Sequence, residues 1–210
     1  MALQQIIRAF TLVGILCSIV LLGSITYQYF DPSPIELNII MIIAFCPLFL
    51  GVISSYLVQA EQLGRFGLIS FIVLTAGYLL GGVGLNWAVA FVSPVYGELT
   101  PAGTVQSANP PFPIIQGMAS SFILLNLGML LYGIAILRSS QTAKWSGVMF
   151  LLSIVGALAP PMDSKCIYFF CAGIIWIGIK GWNWKPTNQA NANEGASAME
   201  HAQQKTVPYP

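Results

Sequence analysis

An all-helical membrane bundle of six transmembrane helices is the fold this sequence predicts, and three observations carry the prediction. Of 210 residues, 56% are hydrophobic and 7% charged, far from the roughly 45–50% and 25% of a soluble domain. Six long stretches are apolar and contain no Asp, Glu, Lys or Arg. When these stretches are threaded alternately through a bilayer, the basic residues collect on one side. The same numbers exclude other classes. Eight Lys and Arg against seven Asp and Glu, a net charge of +1, leave no basic surface for a phosphate backbone, so no nucleic acid partner is expected. The apolar content excludes a soluble globule and a disordered chain.

Crossing ~30 Å of hydrocarbon at ~1.5 Å per residue takes about 20 residues. The first span runs from about Ala9 to Phe30 and the second from about Leu37 to Val58. Pro47 interrupts the second and lacks the N–H that would continue its ladder, so a kink is expected there. The third and longest span covers about Phe66 to Val92, and the fourth about Ile114 to Leu137. The fifth, about Trp145 to Ala159, is short and stopped by Pro160 and Pro161, and the sixth, about Cys166 to Ile179, is also short. Such spans cross where flanking aromatic and basic residues reach the interface. Ser93 to Pro113 carries Pro94, Pro101, Pro110, Pro111 and Pro113 and is a stiff connector. Residues 1–182 therefore form the transmembrane domain. Residues 183–210 have too little apolar surface to offset the entropy of ordering and are expected to be a disordered cytoplasmic tail.

Arg8, Arg65, Arg138, Lys144, Lys180, Lys185 and Lys205 fall on one side of the threaded chain, and Lys165 alone on the other with Asp31, Glu36, Glu98 and Asp163. The positive side faces the cytoplasm, so both termini are expected inside. Arg8 ahead of an apolar run has the look of a signal peptide. The run is about 20 residues, however, where such regions have roughly 7–15, and no small-x-small site follows it. A weak repeat aligns Arg65-Phe66 with Lys144-Trp145, Phe71 with Phe150 and Gly77 with Gly156 at equal offsets. Three tandem hairpins would explain it, as would the basic residue, aromatic belt and apolar run that helices entering from the cytoplasm share.

The spans contain no mid-membrane acid or base, and the only histidine, His201, lies in the tail. Proton-coupled carriers and intramembrane hydrolases place such groups in the bundle interior, so both classes lose support. Cys17, Cys46, Cys166 and Cys171 form no CxxC pair and have no histidine at ligand spacing, so they are expected to be reduced, buried packing residues, with neither metal nor cofactor implied. The remaining polar candidates are Tyr78 and Asn126, both near the bilayer midplane and suited to hydrogen bonding across helices. Asn86, Trp87, Tyr96 and Gln116 lie nearer the outer face, where they would rim a shallow pocket or simply belong to the interfacial aromatic belt.

At about 100° per residue, Ser70, Gly77, Gly81, Gly84 and Ala88 share one face of the third span, and Gly117, Ser121, Gly128 and Ala135 share one face of the fourth. Lipid tails are as apolar as Leu, so helices in a bilayer associate where small residues let backbones approach. These stripes predict an antiparallel pairing of the two spans, or a seam with another subunit. Asn86 and Asn126 point away from the stripes.

Gly64-Arg65-Phe66-Gly67, the run Trp87-Ala88-Val89-Ala90-Phe91-Val92, Leu137-Arg138 and Lys144-Trp145 together resemble six-span bacterial integral membrane proteins of uncharacterised activity. The resemblance covers the third to fifth spans and implies a bacterial plasma membrane, without implying a mechanism. Three function classes remain. The leading one is a non-catalytic accessory or scaffold subunit, with the lipid bilayer and another membrane protein or a second copy as partners. The second is a passive transporter or channel for a small neutral or lipidic solute, using Tyr78, Asn86, Asn126 and the kink at Pro47. The third is a lipid- or quinone-linked membrane enzyme with Glu98 or Asp163 as acid or base.

The topology predicts that, in a background lacking the native cysteines, Gly103→Cys reacts with an impermeant thiol reagent on intact cells and Gln141→Cys does not. Labelling of Gln141→Cys before lysis contradicts it.

Overall fold

The computed structural model of the protein describes residues 2–30, 35–85, 87, 112–139, 143–158 and 165–182. Those residues form six α-helices, here α1 (Ala2–Phe30), α2 (Ile35–Leu57), α3 (Ala60–Gly77), α4 (Phe112–Ser139), α5 (Lys144–Leu158) and α6 (Lys165–Gly181). Four helices contain segments long and apolar enough to cross a membrane: Leu3–Tyr27, Ile39–Leu57, Ala60–Gly84 and Ala119–Ser139. The other two, α5 and α6, are apolar but shorter, with 15 and 17 residues.

Local chemistry accounts for most of the helix ends. A tight turn joins α2 to α3, in which the Val58 and Gln59 amides donate back to the Ser54 and Tyr56 carbonyls and the Gln59 carbonyl accepts from Gln62 and Leu63. Four residues into α3, Gly64 takes φ +59° and ψ −158°. Those angles are open to Gly and strained for any residue with a Cβ. The continuous part of α3 thus begins at Arg65, one residue before the expected start of the third span at about Phe66. Its far end departs from expectation. From Tyr78 to Leu85 the chain winds as a π-helix, and residues 88–92, the expected end of this span, lie outside the described residues.

The helices pack chiefly as neighbours in sequence. The broadest contacts join α3 to α4, α1 to α2 and α5 to α6, while α4 against α5 and α1 against α6 link these pairs into a bundle. One end of the bundle holds the Arg8 Nε to Trp182 carbonyl bond (3.2 Å), the Gly181–Val58 contact and the Gly133–Gly147 contact. Tyr168 bonds Thr26 (2.8 Å) and Ser153 donates to the Cys166 carbonyl (2.8 Å) toward the other. Arg8 also supplies a cation to the otherwise unsatisfied carbonyl end of α6.

The surface is inverted relative to a soluble domain. Ile43, Ile69, Ile123, Val155 and Ile179, on five different helices, are each more than half exposed. Ser18, Ser55, Ser70, Ser146 and Ser153 are almost completely buried. Several of the buried serines donate to a carbonyl of their own helix, as Ser70 does to Phe66 (2.7 Å) and Ser54 to Gly51 (2.9 Å). A small hydroxyl satisfied in this way adds little bulk and leaves the helix face smooth.

Close approach is concentrated at a few glycines. A Cβ on Gly14 would lie 2.5 Å from the Gly51 Cα, and one on Gly77 would lie 2.5 Å from the Leu125 Cα. Gly128 meets the Leu74 backbone in the same way. The α3–α4 seam therefore runs antiparallel, with Leu74 against Gly128 and Gly77 against Leu125, and with Ser70, Ser121 and Ala135 buried. It is shorter than the stripes suggest. Gly81 has only ordinary contacts across the pair, the nearest to the Ser121 carbonyl at 3.5 Å. Gly84 meets only its own turn and Gly117 has open space, while Ala88 lies outside the described residues. Past Gly77 the chain leaves α-helical geometry and the two backbones separate, so the tight point is not at Gly81.

The geometry orders three substitutions. Gly77→Leu and Gly128→Leu should each lower thermal stability in detergent, by at least the ~1–3 kcal/mol typical of overpacking, whereas Gly81→Ala should leave the midpoint nearly unchanged. Equal loss at all three positions would show that the seam is not set by backbone contact.

Candidate functional site

The interior is built around aromatic rings drawn from five helices. Tyr56 stacks on Phe71 with centroids 4.5 Å apart, and Phe71 reaches Tyr132 at 6.5 Å. Tyr132 meets Phe150 edge-on at 5.6 Å, and Phe150 meets Phe170 in the same manner at 5.6 Å. Phe170 stacks on Tyr78 at 5.9 Å, and Tyr78 contacts Phe45 at 6.1 Å and Phe49 at 6.4 Å. These eight rings form one continuous chain through the bundle, in the offset and edge-to-face arrangements that aromatic quadrupoles favour. Tyr78, Tyr132 and Phe150 are almost wholly buried.

Both buried phenols are committed within the protein. The Tyr78 hydroxyl donates to the Phe45 carbonyl at 2.6 Å, two residues before Pro47. This bond ties the first residue of the π-helix to the kinked stretch of α2. The Tyr132 hydroxyl lies 3.0 Å from Ser55 Oγ, while Ser55 Oγ donates its only proton to the Val52 carbonyl at 2.7 Å. Tyr132 is therefore the donor of that pair. Next to it, the buried Gln59 donates through Nε2 to the Ser55 carbonyl at 3.1 Å.

The sequence candidates are not brought together. Tyr78 bonds α2 backbone rather than Asn126. The Asn126 amide donates to Phe122 of its own helix at 2.9 Å, and its buried Oδ1 has no partner. Trp87 and Gln116 are exposed, whereas Asn86 and Tyr96 lie outside the described residues, as do Glu98, Asp163 and His201. All four cysteines are free. Cys171 is buried, Cys17 and Cys166 are partly so, and Cys46 is exposed on α2. The expectation that all four are buried therefore fails for Cys46, because helix periodicity alone does not show which face turns outward. Among the described residues, no group of three His, Cys, Asp or Glu is placed to hold a metal ion.

Sequence reading missed the ring chain because it is made of contacts between helices far apart in sequence. The only signal available was the number of Phe and Tyr residues falling inside spans rather than at their ends. No protein-family model, curated protein or solved structure matches this chain.

The two polar residues should respond differently to replacement. Tyr78→Phe removes the bond to the Phe45 carbonyl and should cost about 1 kcal/mol. Asn126→Leu replaces a group whose oxygen is unpaired and should be neutral or stabilising. Thermal unfolding of the purified protein in detergent measures both, and a larger loss for Asn126→Leu would contradict the assignment.

Proposed function

We propose that this chain is a multi-pass protein of the cell membrane, with the basic end of the bundle in the cytoplasm. In this reading it acts as a non-catalytic accessory or scaffold subunit, packing against another membrane protein or a second copy of itself. The inverted surface supports membrane residence: Ile43, Ile69, Ile123 and Ile179 face outward while Ser18, Ser70, Tyr78 and Tyr132 face inward. The charge distribution supports the orientation, since Arg8, Arg65, Arg138, Lys144 and Lys180 all lie toward the end where Arg8 meets the Trp182 carbonyl. On this reading α5 and α6 also cross, although at ~1.5 Å per residue they reach only about 22 and 25 Å. The aromatic residues at the ends of these short helices, Trp145, Trp176 and Trp182, are exposed and suit an interfacial belt. Three tandem hairpins fit the dominance of the α1–α2, α3–α4 and α5–α6 contacts.

The observation that favours a packing role over catalysis or transport is the ring chain. Its members fill the middle of the bundle, and its two buried hydroxyls already have acceptors. Purification in a mild detergent should recover a second membrane protein in stoichiometric amount, or a defined homo-oligomer. A monodisperse monomer that conducts a small neutral solute across liposomes would contradict this.

One observation favours the passive transporter instead. The π-helix at Tyr78–Leu85 and the kink at Pro47 are two irregular segments joined by the Tyr78–Phe45 bond. π-turns are frequent at functional sites. Under that reading, Tyr78→Phe would alter solute flux.

A further inference from the structure

The α3–α4 seam has two sides. Phe71 and Tyr78 mark the side that faces the ring chain. The other side carries a strip of exposed apolar residues, Phe66 and Ile69 on α3, Leu80 on the π-helix that continues it, and Leu127 on α4. Arg65 and Arg138 stand at one end of this strip. With Leu74 against Gly128, counting nine residues back along α3 and nine forward along α4 sets Arg65 level with Leu137, next to Arg138. At about 100° per residue, Arg138 falls on the outward side of the seam, while Arg65 lies about 180° from Leu74, at the far edge of that side. Both are exposed, and neither has a hydrogen bond or ion pair to any described residue. The helices that carry them are in backbone contact farther along, so the two guanidinium groups project from adjacent helices at one height.

We propose that this strip is a binding site for one anionic phospholipid, whose phosphate lies between Arg65 and Arg138 and whose acyl chain lies along Ile69, Leu80 and Leu127. Guanidinium groups are suited to this contact because their planar forks match phosphate oxygens and they remain charged. The occupant is a lipid rather than a soluble anion because the charged pair caps an exposed apolar strip on two helices long enough to cross a membrane. A soluble anion would leave that strip unused. The site rests on the membrane reading above, and the juxtaposition of Arg65 with Arg138 follows from the seam register alone.

Native mass spectrometry of the detergent-purified protein, titrated with phosphatidylglycerol and with phosphatidylcholine of identical chains, tests the site. The parent should bind phosphatidylglycerol several-fold better than phosphatidylcholine. Arg65→Gln combined with Arg138→Gln should bring the ratio close to one. Lys144→Gln combined with Lys180→Gln, which removes the same charge from the same end of the bundle, should leave the preference in place. Absence of preference in the parent, its retention in the arginine variant, or its equal loss in the lysine variant would overturn the site. Failure of the membrane reading is separately visible, as recovery of the protein from membranes without detergent.

Discussion

Everything in this fold depends on how closely backbones can approach at a few glycines. The outward faces of these helices are as apolar as the inward ones, so little is gained by turning a large side chain inward. Association then relies on dispersion between surfaces that touch. Gly14 against Gly51 sets α1 on α2, and Gly77 and Gly128 set α3 on α4. Gly133 against the Gly147 carbonyl, with a Cβ-to-oxygen distance of 3.1 Å, does the same for α4 and α5. Once the pairs are this close at their seams, the space between pairs is wide enough for rings, and the chain from Tyr56 to Phe45 fills it. Small residues at the seams and large ones at the centre are two parts of one packing solution.

The buried polar groups follow from the same constraint. A hydroxyl placed in this interior needs an acceptor there. Ser54, Ser55 and Ser70 take carbonyls of their own helices and Ser153 takes the Cys166 carbonyl of the next, while Tyr132 takes Ser55 and Tyr78 takes the Phe45 carbonyl. Each phenol thereby joins one part of the bundle to α2: Tyr132 from α4 and Tyr78 from the π-helix. The polar interior therefore fixes the positions of helices, and the same hydroxyls are not free to bind a solute. That is the physical link between the packing of this bundle and the proposed role as a structural partner.

Helix positions were legible because composition and charge act locally: Arg65 opens the continuous part of α3, Lys144 opens α5, and Pro160 and Pro161 lie just past the end of α5. The seam was only partly legible. Counting at 100° per residue selects Gly77 and Gly128, where the backbones do meet, but it selects Gly84 and Gly117 with equal weight, and these meet nothing across the pair. The difference arises at Tyr78, where the winding changes. The run Tyr-Leu-Leu-Gly-Gly-Val-Gly-Leu carries no local signal that separates α from π winding. Nor does any local pattern reveal that Tyr78 seeks a carbonyl 33 residues away, or that Gly14 and Gly51 face each other. Those pairings depend on which helix becomes whose neighbour, and a bilayer that rewards no particular outward face leaves that choice unmarked in hydropathy.

The rings leave the core of the bundle solid, and access to Leu48 tests this most directly. Leu48 is fully buried on α2 between Phe45 and Phe49, both of which contact Tyr78. In native membranes, with the four natural cysteines replaced, Leu48→Cys should resist small charged methanethiosulfonate reagents applied from either side, provided the variant retains parental thermal stability. Rapid modification from one or both sides would show a water-filled path where the rings are placed, and would contradict the account.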